Sequence, residues 1–560
     1  MPRFGGRLIE HFATLTLLTL ICSTDCAQTQ PVVGEKPLLL GQIIERVQCG
    51  ADRGQSYALY LPSRYSPTQA WPIVYTYDPM ARGSIPLALY KTAAEKYGFI
   101  LAASNNSRNF EPEEISKAAQ AMWTDTHVRL RVDPRRIYTM GFSGGARVAT
   151  LIALRCATCA VAGVIVHGAA YPDSILPSEK DHFAYFAFIG DRDFNWPELM
   201  ELQRKKERWN APFHVRVYDG DHQWAPPGIF DEALEWLQLK AMQTGTAPPD
   251  ASFIDQMLAR TQKAADEALQ HKNAIAEFEA YRSLTSDFSG LKDVSPYQTR
   301  LRELNSTPEL KQARKKEQEA IDHQHAIVSE ISSKLSRVEG AEPKIQVALR
   351  NDIVDAMTGL RNKADHATND ETRLIYLRAF DELWAQGFEK GQAEFQINRH
   401  FDKAVFYFQL ISSITPNEPS PFLLLAETNA MRGERKRALK DLREAVKRGL
   451  RFPESVENNA NLQVLRSEPE FQQIVAELKA RRQSPPASEF CRPSRNFRES
   501  AAGGSDVRGR NARCLWRSTA NLLRYSLIIY FNGNERARSG STRQLVEDPA
   551  TPSFRQTAAT

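Results

Sequence analysis

A chain of 560 residues with 42% hydrophobic and 25% charged residues is long enough for several folded domains, and its composition excludes a wholly disordered or collagen-like protein. The formal charge of +5 belongs to the tail: from Pro486 onward there are twelve Arg, no Lys and six Asp or Glu, leaving the preceding chain at about −1. That distribution leaves the folded part without a basic balance and argues against nucleic acid as its partner.

The N-terminus reads as an export signal over residues 1–27. Arg3 and Arg7 give a positive start, residues 12–22 form a short apolar run, and Ala27-Gln28 is a cleavage point. The run is too short to cross a bilayer comfortably, so the mature chain is expected to be periplasmic or secreted and to carry no transmembrane span. Residues 31–40 read as a linker.

Strands and helices then alternate over residues 41–243. The apolar runs at 56–61 and 73–77 read as strands, 87–97 as a helix, 99–103 as a strand, and 111–130 as a helix ending before Asp133-Pro134. In the segment 136–148, Ile137, Tyr138 and Met140 suit a buried strand, Gly141-Phe142-Ser143-Gly144-Gly145 a sharp turn, and the residues from Ala146 to Leu154 a helix. Residues 161–166 and 183–189 suit central parallel strands, 196–209 a helix, 213–218 a strand, and 230–242 a closing amphipathic helix. The alternation implies an α/β fold with a parallel sheet.

Seven cysteines make no disulfide framework in a chain of this length. Cys156 and Cys159 have Cys-x-x-Cys spacing but no second pair to complete a metal site. They read as small buried residues at a helix end; in an oxidising compartment they can close as a local disulfide.

Residues 244–250, with Pro248-Pro249, read as a domain linker. Beyond it the strand signal disappears and residues 251–385 read as helical. Ile321, Val328 and Leu335 fall seven apart, with Ile331 and Val338 between them, the pattern of a short coiled-coil seam or a helical hairpin. Over residues 386–481, Ala404, Phe408 and Ile411 are followed 34 positions later by Ala438, Leu442 and Ala445. That period resembles tetratricopeptide repeats. Gln392 and Ala426 stand in the family's usual glycine place, and Asn429 replaces an aromatic. Stacked helix pairs of this kind leave a concave groove that can receive a protein partner. The Ser-, Gly- and Arg-rich tail, 483–560, reads as disordered.

The turn at Ser143 has the spacing Gly-x-Ser-x-Gly of a nucleophile elbow. A serine alcohol needs a base to take its proton and a carboxylate to orient that base. Both follow in order. The strand 183–189 leads into Gly190-Asp191-Arg192-Asp193, and the strand 213–218 leads into Asp219-Gly220-Asp221-His222-Gln223-Trp224. His222 is the candidate base and Asp193 the candidate acid, with Asp191 its competitor and a candidate cap for the following helix. His167 also ends a strand but precedes the acid, and His214 lies within a strand. Two backbone N–H groups are needed to hold the oxyanion. Gly144 should supply one. The other should come from the loop Asp78-Pro79-Met80-Ala81-Arg82-Gly83; Pro79 has no N–H, which leaves Met80. Arg82 and Arg147, near the expected mouth, read as solvated arginines or as partners for an anionic substrate.

These motifs, Gly-Phe-Ser143-Gly-Gly, Gly-Asp-Arg-Asp193 and Asp-His222-Gln-Trp, resemble the α/β-hydrolase superfamily, and within it the dienelactone hydrolase, polyhydroxybutyrate depolymerase-like and phospholipase/carboxylesterase group. The resemblance covers somewhat over a third of the chain. It implies a serine hydrolase with an acyl-enzyme intermediate, a small or polymeric ester as substrate, and no metal or organic cofactor. It departs at Asp78, where many esterases have His. A prolyl-oligopeptidase-type peptidase uses the same triad, although nothing here resembles the propeller domain found with many of those enzymes. A helical-repeat interaction protein with a degenerate hydrolase domain is the third reading.

Overall fold

The computed structural model describes residues 38–172, 175, 177–205, 211–338 and 341–483. The export-signal reading and the tail reading beyond residue 483 fall outside the described residues. The first unit contains eight strands, β1 (Ile43–Gln48), β2 (Ser56–Tyr60), β3 (Trp71–Tyr77), β4 (Ile100–Ser104), β5 (Val132–Phe142), β6 (Val161–His167), β7 (Ala184–Gly190) and β8 (Phe213–Tyr218). Its helices are α1 (Ser84–Tyr97), α2 (Pro112–Arg129), α3 (Gly144–Arg155), α4 (Trp196–Lys205) and α5 (Pro227–Gln243).

The strands form one sheet in the order β1-β2-β4-β3-β5-β6-β7-β8. β1 and β2 pair antiparallel, as do β2 and β4; all later neighbours are parallel. This is an α/β-hydrolase-like fold. Each face of the sheet is covered. Tyr90 and Leu87 of α1 and Phe230 and Trp236 of α5 pack on one side; Met122 of α2, Ala146 and Ala149 of α3 and Leu199 of α4 pack on the other. Burial on both faces is why β6 and β7 are near-continuous apolar runs rather than alternating ones. β1, at the sheet edge, has no such run: Glu45 and Arg46 are exposed and its register with β2 shifts between Ile44 and Val47. No strand was expected there, because an edge strand facing solvent need not be apolar.

The remainder is helical: α6 (Ala251–Gln270), α7 (Ala274–Asp287), α8 (Ser295–Ser306), α9 (Pro308–Arg337), α10 (Pro343–Asp365), α11 (Asp370–Gln396), α12 (Phe401–Ile414), α13 (Pro419–Met431), α14 (Arg435–Lys447), α15 (Glu454–Glu457) and α16 (Pro469–Gln483). Starting at Phe401 and Arg435, α12 and α14 are separated by the expected 34-position offset, with α13 between them. Of the seam residues, Val328, Ile331 and Leu335 of α9 bury against Leu349 and Ile353 of α10 and Phe380 and Leu383 of α11.

Ile321, also of α9, belongs instead to the core of the sheet's α2/α3/α4 face. A second junction joins Leu239 and Met242 of α5 to Ile254 and Met257 of α6, Leu284 of α7 and Phe288 just after it. Within it Lys240 and Asp287, both buried, pair at 2.8 Å. The segment 244–250 is short and mostly exposed, but Ala247 is buried and its N–H donates to Ala241 O at 3.0 Å. Cys156 and Cys159 are joined by a disulfide. The reading of them as separate small residues gives way to the alternative of a local bridge.

Candidate active site

Ser143 sits between β5 and α3 at φ 53°, ψ −123°, a conformation that L residues adopt at a cost of about 1–3 kcal/mol and that persists where its surroundings enforce it. Two close backbone approaches enforce it. A Cβ on Gly141 would lie 2.1 Å from Gly145 O, and a Cβ on Gly145 would lie 2.1 Å from Tyr77 O. The first glycine lets the strand fold back on the helix it feeds; the second lets that helix lie against the end of β3. The Ser143 N–H donates to His167 O at 2.9 Å, tying the turn to β6.

The structure brings Ser143, His222 and Asp193 together from the ends of β5, β8 and β7. Ser143 Oγ lies 2.9 Å from His222 Nε2, and His222 Nδ1 lies 2.9 Å from both Asp193 oxygens. Asp193 is fully buried, and its Oδ1 also accepts the Asn195 N–H at 2.9 Å. The imidazole is flanked by Phe142 and Phe194, with ring centroids 4.7 and 4.3 Å away. A hydroxyl donating to Nε2 and an Nδ1–H donating to a buried carboxylate is the arrangement that moves a serine proton.

Asp191 lies elsewhere. Its Oδ1 accepts the Gly220 N–H at 3.1 Å and pairs with Arg192 at 3.3 Å, so it ties the acid loop to the histidine loop and does not cap α4. His167 is fully buried; its Nδ1 accepts the Ala225 N–H at 3.2 Å, and its ring stacks on Tyr90 and Phe188. His214, near the start of β8, rests against Phe186 and Trp236.

Asp78, where many esterases carry His, is buried and fully engaged. Arg82 Nε and Nη2 donate to its two oxygens at 2.8 Å each, and Trp224 Nε1, two residues beyond His222, donates to Oδ2 at 3.2 Å. Arg82 is therefore a buried ion-pair partner and not a solvated arginine. Arg147 donates to Glu198 at 3.0 Å through both terminal nitrogens and to Tyr171 O at 2.8 Å. The same Asp78 carboxylate turns its own loop inward: Met80 N–H donates to Oδ1 at 2.8 Å, Arg82 N–H reaches Oδ1 at 3.4 Å, and Ala81 N–H donates to Asp78 O at 3.0 Å. Met80 can reach an oxyanion only by sharing or releasing its bond to Asp78. Gly144 opens α3, where N–H groups have no partner within the helix.

Sequence reasoning passed over three contributors. Gly168, at φ +66°, packs so closely that a Cβ there would lie 2.9 Å from Asp193 Oδ2 and 3.1 Å from His222 Nδ1. Asn195 Nδ2 donates to Gly168 O at 2.8 Å and holds that glycine in place. The third contributor comes from the helical unit. Arg378 of α11, buried, donates through Nη1 to Asp191 O at 3.0 Å and through Nε to Gln324 Oε1 at 2.9 Å, and its guanidinium lies 4.2 Å from the Trp196 ring centroid. Gln324 of α9 in turn donates to Phe194 O at 3.1 Å and to Glu382 Oε2 at 3.0 Å. Burial pushes the Arg378 guanidinium down to about 10 and the Glu382 carboxyl up to about 7. The acid loop is thus held from outside the sheet domain. No local motif signals this, because the partners lie more than a hundred residues apart in sequence.

Among the described residues, no group of three or more His, Cys, Asp or Glu could hold a metal ion, and no helix is long and apolar enough to cross a membrane. No protein-family model matches the chain, and no curated protein matches it. Solved structures align to about a third of it. An S-formylglutathione hydrolase from Agrobacterium tumefaciens is 13% identical over 35% of this chain and 93% of its own, with a TM-score of 0.28. A ferulic acid esterase is 16% identical over 35% and 96%, with a TM-score of 0.29. Dipeptidyl peptidase 4 of Porphyromonas gingivalis is 13% identical over 35% of each chain, with a TM-score of 0.29.

Proposed function

We propose that this chain is a serine hydrolase of carboxylic esters, working through Ser143, His222 and Asp193. The observation that carries the reading is the unbroken hydrogen-bonded line from Ser143 Oγ through the imidazole to a fully buried carboxylate. Ser143 attacks the acyl carbonyl as His222 Nε2 takes its proton. The carbonyl π pair moves onto oxygen, and Gly144 N–H stabilises that oxyanion. Collapse expels the alcohol with the proton returned from His222 and leaves an acyl-Ser143, which water then hydrolyses by the same steps. Asp193 holds the tautomer with hydrogen on Nδ1 and stabilises the imidazolium.

Ser143→Ala should lower turnover of a short p-nitrophenyl ester by about 10⁴-fold or more while leaving thermal unfolding unchanged. Turnover within tenfold of the parent chain would refute the assignment. A peptide panel beside the ester panel separates the ester reading from the peptidase reading.

We also propose that the chain is exported, with residues 1–27 removed. The disulfide between Cys156 and Cys159 supports this, since such bonds persist chiefly in oxidising compartments. N-terminal sequencing of the natural protein should begin at Gln28; a chain that retains Met1 inside the cell would sink the proposal.

A further inference from the structure

We infer that the side-chain carboxamide of Asn109 is the second oxyanion donor, in the place where the β3 loop would ordinarily supply a backbone N–H. The inference rests on the serine-hydrolase reading above and concerns a residue in the loop after β4, outside the three motifs.

The β3 loop is poorly placed to donate. Pro79 has no N–H, and the next three N–H groups all turn toward Asp78. A developing alkoxide would have to compete with a carboxylate that already accepts these bonds and is clamped by Arg82 and Trp224. The carboxamide of Asn109, by contrast, lies directly against the residue that follows the nucleophile. A Cβ on Gly144 would lie 2.1 Å from Asn109 Oδ1 and 2.6 Å from Nδ2, closer than any real side chain can come. Gly144 has an ordinary negative φ, so the turn itself does not demand glycine there. The amide occupies the space a Cβ would take, and a side chain at 144 would have to push it aside.

The loop is built to bring the amide in. Asn109 N–H donates to Pro79 O at 2.9 Å, and Met80 and Arg108 form a β-bridge, so the β4 loop is laced to the β3 loop. The next residue, Phe110, is held at φ +69°. With Ala81 at +59° and Ser143 at +53°, non-glycine residues at positive φ stand on the loops following β3, β4 and β5. Among the described residues the Asn109 carboxamide has no hydrogen-bond partner of its own. A half-turn about its last side-chain torsion exchanges Oδ1 and Nδ2, so the amide can present N–H to the position beside Gly144 N–H. There it would act on the carbonyl oxygen as negative charge builds on it. Asn109 forms and breaks no covalent bond, and the proton still passes from Ser143 Oγ to His222 Nε2.

The test uses the full chain with a short p-nitrophenyl ester, Ser143→Ala, Asn109→Ala and Asn109→Asp side by side. Asn109→Ala should lower kcat by about 10²–10³-fold with KM within about threefold, the signature of a donor that acts only in the transition state. Affinity for a short-chain trifluoromethyl ketone, whose hemiketal oxygen occupies the oxyanion position, should fall by a similar factor. Asn109→Asp, which places an acceptor where a donor is needed, should be at least as impaired. A kcat within threefold of the parent chain, with Ser143→Ala inactive, overturns the Asn109 assignment and leaves the nucleophile standing. So does a kcat loss with ketone affinity unchanged, or one accompanied by an equal rise in KM and a lowered Tm, since those mark a merely structural role. Undiminished turnover by Ser143→Ala would remove both readings together.

Discussion

His167 and Ser143 end adjacent strands, yet one is a candidate nucleophile and the other a sealed core residue. The difference is burial. His167 is fully enclosed among Tyr90, Phe188, Trp224 and Phe230, and burial pushes its imidazole from 6.5 down to about 3. Its Nδ1 accepts a backbone N–H, which requires the neutral ring. Between pH 6.5 and 3 the unfolded chain therefore binds a proton that the folded chain does not. Stability rises with pH across that window and is lost as pH falls through it, by at most about 4–5 kcal/mol. His167→Phe should be less stable at neutral pH, because the Ala225 N–H loses its acceptor, but its Tm should fall less steeply from pH 6.5 toward pH 3. Parallel Tm curves for the two proteins would show that another group carries the acid sensitivity. Asp78 differs in its partners. Its carboxylate is also buried, but a bidentate arginine and two further donors surround it.

At the scale of elements, the alternating strands and helices of the sheet domain were legible because strands covered on both faces are apolar throughout. The runs 161–166 and 183–189 became β6 and β7 with ends shifted by a residue. The candidate nucleophile, base and acid turn were legible because each stands at a strand end within a short glycine-containing turn, a local pattern. The choice of Asp193 over Asp191 was not. Both lie within one four-residue turn, and only the path of the chain decides which carboxylate faces His222. Gly168 and Asn109 were illegible for a related reason. A lone glycine after a strand and an asparagine in a loop are common residues, and their meaning lies in a neighbour from another strand. The edge strand β1 escaped notice because solvent on one side removes the apolar signal.

For the whole molecule, the helical unit is more than an attached module. Ile321 completes a core of the sheet domain, and Gln324 and Arg378 grip the backbone of the loop that carries Asp193, at Phe194 O and Asp191 O. Arg378→Met would leave Asp191 O and Gln324 Oε1 without this buried donor and remove the cation from the face of Trp196. Leaving a buried acceptor without its hydrogen-bond donor costs about 1–3 kcal/mol. The variant should unfold earlier and, while still folded, turn over ester at least tenfold more slowly, because the acid loop is no longer pinned. Thermal unfolding and kcat measured together check this; a lowered Tm with unchanged kcat would mean that the helices support the fold but not the site.

The sequence by itself determined what depends on local pattern: an α/β unit followed by helices, a serine on a strained turn, and an acid and a base in the order the resemblance requires. Strand alternation, helical periodicity and turn residues are short-range physics, readable within windows of ten to twenty residues. Only the tertiary structure decided which aspartate meets the imidazole, what lies against Gly144, why the Met80 N–H is already engaged, and that the helical unit holds the acid loop. Each of these is a contact between residues far apart in the chain, and its energy depends on burial and on the distance between groups that no local pattern encodes.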